Sequence, residues 1–118
     1  MIQDSTILNL LESGIRAEGL RQQAIANNIA NLNTPGFRRS DINFEEILKE
    51  AVKKQDSIDP KSLNPEILQP QNTPLNEFDN DISLDNEVGA MLKNTLKHKT
   101  YMLLLKKKYQ QMDSAMKF

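Results

Sequence analysis

Apolar side chains recur along this chain in two long, narrow stripes, one at each end. Near the start, Leu8, Leu11, Ile15, Ile25, Ile29 and Leu32 fall on an alternating spacing of three and four that Glu18 and Gln22 complete. That is the period of an amphipathic helix presenting a coiled-coil-like seam. It predicts a helix over residues 4–33, with Asp4 or Ser5 accepting backbone N–H bonds at its first turn. Gly14 and Gly19 interrupt it, and each weakens a helix interior by about 1 kcal/mol, so this helix is predicted to be poorly stable alone. Near the end, Leu84, Val88, Met91, Thr95 and His98 run on through Met102, Leu105, Tyr109, Met112 and Met116 without a break in the same spacing. This predicts a helix of about 30 residues within 84–118, roughly 45 Å long at 1.5 Å per residue.

The middle is punctuated differently. Pro35 disfavours helical backbone at Thr34. Thr34 to Phe37 then fits a type II turn, with Gly36 where a positive φ is needed, so residues 34–40 read as a turn. Residues 43–54 read as a short helix. Asn43 and Glu46 resemble a capping box, Phe44, Ile47, Leu48 and Ala51 form one apolar face, and Glu45 with Lys49 and Glu50 with Lys54 stand at favourable spacing. Over residues 55–83, Pro60, Pro65, Pro70 and Pro74 exclude a regular helix. That segment is predicted to be an irregular, extended connector whose Leu63, Ile67, Leu68, Leu75 and Phe78 are available to dock. The fold class is mainly α and the chain a single domain over residues 1–118. Its long N- and C-terminal helices pair as an antiparallel coiled-coil-like hairpin, with a short helix and the Pro-rich connector between them. One hairpin seam buries little apolar surface against the entropy of ordering two long helices. The end helices are therefore predicted to be partly disordered when free and to order against further copies.

Composition sharpens this. Apolar residues make up 38% of the 118 positions and aromatic residues 5%, with no Trp, which suits stripes better than a wide core. The absence of Cys excludes disulfides and thiolate chemistry. His98, the single histidine, falls on a seam, where a packed or interfacial imidazole is expected rather than a ligand. The carboxylate pairs Glu45-Glu46 and Asp79–Asp81 read as solvated, since acid–base catalysis needs a raised pKa in a cleft. Asp79-Asn80-Asp81 lacks the Gly and closing Glu of a calcium loop. No catalytic residue, no metal ligand and no cofactor is predicted. No apolar run approaches the length of a membrane span, so no membrane insertion is expected, and the stretch from Met1 to Gly14 lacks the basic opening and apolar core of a cleaved signal.

Net charge is −1, but residues 41–87 carry twelve acidic and four basic side chains, and residues 88–118 one acidic and seven basic. Such poles favour head-to-tail contacts between copies. Lys106, Lys107 and Lys108 are consecutive and spread around a helix, so nucleic-acid binding is not expected. Arg38 and Arg39 read equally as a solvated pair or as a site for an acidic neighbour, such as the acidic segment of another copy.

The most distinctive run is Ile25 to Arg39, where Asn27, Asn28, Asn31 and Asn33 crowd a helix end before Thr34, Pro35, Gly36 and Phe37. Any one Asn there reads as a fraying end. Asn27 and Asn31, four apart, also place two amides on one face, able to bond a neighbouring backbone. From Gln23 to Arg38 the run resembles the N-terminal signature of bacterial flagellar rod, hook and hook-associated axial proteins. Ile82 to Val88, with Tyr101 and Met112 beyond, resembles the FlgB (proximal rod) family. Asp79-Asn80-Asp81 departs from it, since relatives usually carry a Gly beside the Asn. The resemblance implies a structural subunit of the basal-body rod, the drive shaft of the bacterial flagellum, located within the cell envelope. It implies export by the flagellar type III apparatus without a cleaved signal. The implied partners are further copies, other rod subunits and the membrane-ring and rod adaptor proteins. Two alternatives stay open: another axial protein of the same family, and a soluble helical export adaptor or chaperone.

Overall fold

A computed structural model describes residues 4–54 and 63–117. Helix α1 spans Asp4–Ala30, strand β1 Asp41–Asn43, helix α2 Glu45–Lys53, strand β2 Glu66–Leu68 and helix α3 Leu84–Met116. The predicted first residues of the connector, with Pro60, lie outside the described residues, as do the side chain of Asp4 and the terminal Phe118.

The two long helices pair side by side and antiparallel. Asn28 faces Glu87, Glu18 faces Asn94, Gly14 lies under Tyr101 and Glu12 meets Tyr109. The molecule is accordingly long and thin, 65 × 26 × 15 Å. Gly14 is required by this packing: a Cβ there would stand 2.6 Å from the Tyr101 ring, closer than carbon atoms approach. The residue that weakens α1 as a helix therefore lets α3 come close.

The apolar core lies to one side of the helix pair. Phe44 and Ile42 are buried against Ala17, with Leu20, Ala24 and Leu48 packed around them. Ala51 on α2, and Leu63 and Ile82 in the connections, are also buried. The strap from residue 34 to α2 is thus anchored along α1. β1 pairs antiparallel with β2, Ile42 opposite Ile67 and Asn43 opposite Glu66. The residue pattern does not announce these strands, because three residues are too few to display an alternation and such a ribbon is marginal alone. The burial of Ile42 on α1 holds it.

Some local expectations are revised. α1 ends at Ala30, short of Asn33, because the Asn31 N–H bonds the carbonyls of both Asn27 and Asn28 and the chain tightens into turns. The cap of α2 is Phe44, with no side-chain cap bond from Asn43; Asn43 is committed to the ribbon. Glu45 pairs with Arg21 and Lys97 rather than with Lys49, and Glu50 with Lys53. The Thr34 to Phe37 turn forms as predicted, Phe37 N–H donating to the Thr34 carbonyl at 3.3 Å with Gly36 at φ 74°. α3 starts at Leu84, where the Ser83 hydroxyl accepts from Asn86 N–H.

Candidate assembly site

Where α1 turns into the strap, the helix pair is joined by polar groups rather than apolar ones. Asn28 is fully buried. Its carbonyl oxygen accepts from Ser40 N–H at 2.9 Å, while its amide donates to the Ser40 carbonyl at 2.8 Å and to Glu87 Oε2 at 3.2 Å. The side chain thus holds the strap as a β-bridge would, and reaches α3 as well. The other oxygen of Glu87 accepts from Arg39 Nε at 2.7 Å. Burial disfavours the charge on Arg39, but the hydrogen bond and charge of Glu87, with Asp41 and Asp81 nearby, outweigh it and raise its pKa.

The turn before α3 is tied to the same place. Asn80, buried, donates its amide to the carbonyls of Asn31 at 2.9 Å and Thr34 at 3.0 Å, and so satisfies the open end of α1. Its oxygen accepts from Ile82 N–H at 2.7 Å. Asp81, also buried, accepts from Arg39 N–H at 2.6 Å, which corrects the reading of this carboxylate as solvated. Arg38 donates to the Asp79 carbonyl, and Gly36 N–H to the Phe78 carbonyl at 3.0 Å. Asp79 holds a positive φ of 56°, a backbone that Gly adopts at no steric cost and Asp tolerates. The arginine pair is therefore neither solvated nor directed outward: both side chains close the chain on itself.

Further along, Asn94 donates to the Glu18 carbonyl at 2.6 Å and to its carboxylate at 3.3 Å. Arg21 bonds Glu18 and also donates to Glu45 at 2.8 Å and to the Ile42 carbonyl at 3.0 Å. Lys97 of α3 completes the group, 3.0 Å from Glu45. Partial burial pushes the Glu45 carboxyl up, but Lys97 and Arg21 more than reverse this and lower its pKa to about 2. Tyr101 is shifted upward, first by burial and then by the negative charges of Glu18 and Glu45. Glu18, Arg21, Glu45, Asn94 and Lys97 border a crevice of about 260 Å³. A carboxylate held ionised by neighbouring cations, as Glu45 is, suits cohesion rather than proton transfer.

The predicted seam residues divide into two sets. On α1, Ile25 is buried, and Leu8, Leu11, Ile15, Ile29 and Leu32 are half-buried. On α3, the residues turned towards α1 include Glu87, Asn94 and Tyr101, a heptad column one position before Val88, Thr95 and Met102. Leu105 and Met112 are half-buried beside that column, as is His98. Met91, Val88, Met102 and Tyr109 are exposed, and with them Leu92 at 62%, Leu96 at 56% and Leu103 at 61%. α3 thus has a second, broad apolar face outside its contact with α1. Of the motif side chains, that of Asn28 reaches α3, where it bonds Glu87. Asn31 bonds Asn27 and Thr34 locally, Asn27, Asn33, Thr34, Pro35 and Gly36 are exposed, and Phe37 is half-buried. Asn80, Asp81, Glu87 and Asn94 were not predicted as site residues. The visible signal was polar residues at seven-residue spacing, Glu87 and Asn94, beside an apolar stripe.

Residues 8–38 match the family described as flagella basal body rod protein. The flagellar basal body rod protein FlgB of Borreliella burgdorferi is 32% identical over 95 residues, covering 65% of this chain and 70% of the relative. The chain belongs to the FlgB rod-protein family. FlgB of Buchnera aphidicola is 25% identical over 94% of both chains, and FlgB of Bacillus subtilis 25% identical over 94% of this chain and 92% of the relative. The FlgB family is one of structural rod components of the flagellum. Its matched segment contains α1 from Leu8, the Asn28 clasp and the Gly36 turn. Among the described residues no helix is long and apolar enough to cross a membrane.

Proposed function

We propose that this chain is a non-catalytic subunit of the proximal part of the flagellar rod, and that its hairpin is the building block of a shaft that transmits torque. The observation that carries this is the second apolar face of α3. A helix ordinarily buries the stripe it carries, and here Leu92, Leu96 and Leu103 stand uncovered while the α3 residues buried towards α1 include the polar Glu87 and Asn94. The polar clasp sets the register of the two helices, and the apolar face supplies association with neighbouring protomers. Val88, Met102 and Tyr109 act in this association, and Leu8, Leu11, Ile15, Ile25, Leu105 and Met112 in the pairing itself. The partners are further copies, other rod subunits, membrane-ring and rod adaptors, and the type III export apparatus, which passes the chain into the cell envelope. A narrow helical hairpin without Cys suits passage as an unfolded chain.

The experiment is fractionation of basal bodies from cells producing an epitope-tagged chain, with a deletion strain as control. Tagged chain in the rod fraction, and absent rods with lost motility in the deletion, are expected. A tagged chain found only as a discrete soluble dimer, with rods intact in the deletion strain, would favour the export-adaptor reading instead.

A further inference from the structure

We infer that the apolar face of α3 in one copy receives the acidic, apolar segment 66–79 of the next copy, a heterologous contact that repeats head to tail. The docking rests on the chain's role as a rod subunit and names the two surfaces that meet. The first is an apolar row on α3, Val88, Leu92, Leu96 and Leu103, with Lys99 and Lys106 continuing it at helical spacing. From residue 88 to residue 112 the chain contains no Asp or Glu, so this face is apolar and purely basic.

The second surface is its complement. From residue 62 to residue 92 there is no Lys or Arg. Within that stretch Ile67 is 70% exposed, Leu75 53% and Phe78 40%, beside the exposed acids Glu66 and Glu77. Asp79 already pairs with Arg38, which leaves Glu66 and Glu77 to face a partner. The segment is held at both ends on one strap: Leu68 lies opposite Asp41 in the ribbon, and the Phe78 carbonyl accepts from Gly36 N–H. It is presented as a fixed surface. The acidic surface with its apolar side chains and the basic surface with its own both stand exposed in one copy rather than covering each other, so they attract between copies. Two different patches in contact generate an open stack, not a closed pair, and matched charge fixes which patch meets which.

Charge exchange tests this on the full chain. Weight-average mass is followed against protein concentration by sedimentation, with helix content by circular dichroism as the check on folding. The wild-type chain is expected to self-associate progressively, more weakly at high salt. Glu66→Lys with Glu77→Lys, or Lys99→Glu with Lys106→Glu, should each weaken association at least about tenfold, because like charges then face each other. Mixing the two double variants should restore it, since each then offers the other a complementary pair. Association unaffected by the acidic-segment variant, a mixture no better than its parts, or a wild-type chain that stays monomeric at every concentration would overturn the proposal. Basal-body fractionation separates this from failure of the rod reading. If only the interface is wrong, the Glu66→Lys, Glu77→Lys chain enters rods normally; if the rod reading is wrong, neither it nor wild type does.

Discussion

Asn28 shows at the scale of one residue how the chain is held. Its amide makes three hydrogen bonds, at 2.9, 2.8 and 3.2 Å, to two different elements. Asn28→Ala strands the partly buried N–H and carbonyl of Ser40, and loses the contact to Glu87. Unsatisfied buried groups cost about 1–3 kcal/mol each, so a urea midpoint well below wild type is expected, with α1 losing its hydrogen-exchange protection first. Glu45 behaves differently because it is partly exposed. Its folded pKa is lowered to about 2 by Lys97 and Arg21 against the opposing effect of burial. A depressed carboxylate contributes stability above its unfolded pKa and loses it as pH falls through the folded value. Glu45→Gln should therefore be less stable than wild type at neutral pH. The difference between the two should shrink from about pH 4.5 downward and vanish near pH 2. A constant difference over that range would mean that the ion pairs contribute nothing.

Between elements, the close approach of α1 and α3 depends on a missing side chain. Ala is the better helix former by about 1 kcal/mol, yet a methyl group on Gly14 would meet the Tyr101 ring at 2.6 Å. Overpacking of this kind costs about 1–3 kcal/mol. Gly14→Ala is thus expected to destabilise the wild-type hairpin, but to stabilise a Tyr101→Ala chain, in which the ring is gone. Thermal melts of the four proteins in this cycle measure the change of sign. The Gly36 turn makes a second test. At φ 74° a β-branched residue is strained, so Gly36→Val should lower the melting temperature and reduce incorporation into rods, while Gly19→Ala, with nothing within 4 Å of the new Cβ, should not.

Across the whole molecule, folding and association use different faces of α3, and substitutions can separate them. Tyr101 is half-buried over Gly14 of α1, whereas Met102 is exposed on the outer face. Tyr101→Asp places a charge in the helix pair and should reduce helix content in dilute protein. Met102→Asp should leave the dilute hairpin intact and block association. Circular dichroism paired with sedimentation reads both effects, and equal loss of helix in the two variants would show that the faces are not distinct.

Helical periodicity, the Pro35–Gly36 stop and the spacing of prolines were sufficient to determine two long end helices, a short helix between them and the type II turn, because these depend on local backbone preference and on one stripe per helix. The Ile25–Arg39 run was sufficient to mark the family. What local spacing does not contain is which flank of a broad apolar stripe meets the partner helix. Tertiary packing settled that, rotating α3 so that Glu87, Asn94 and Tyr101 face α1. It also settled the roles of Asn80, Asp81 and Arg39, whose partners lie tens of residues away. A polar residue in isolation reads as solvated; only the arrival of a distant donor or acceptor makes its burial affordable, and that arrival is a property of the fold.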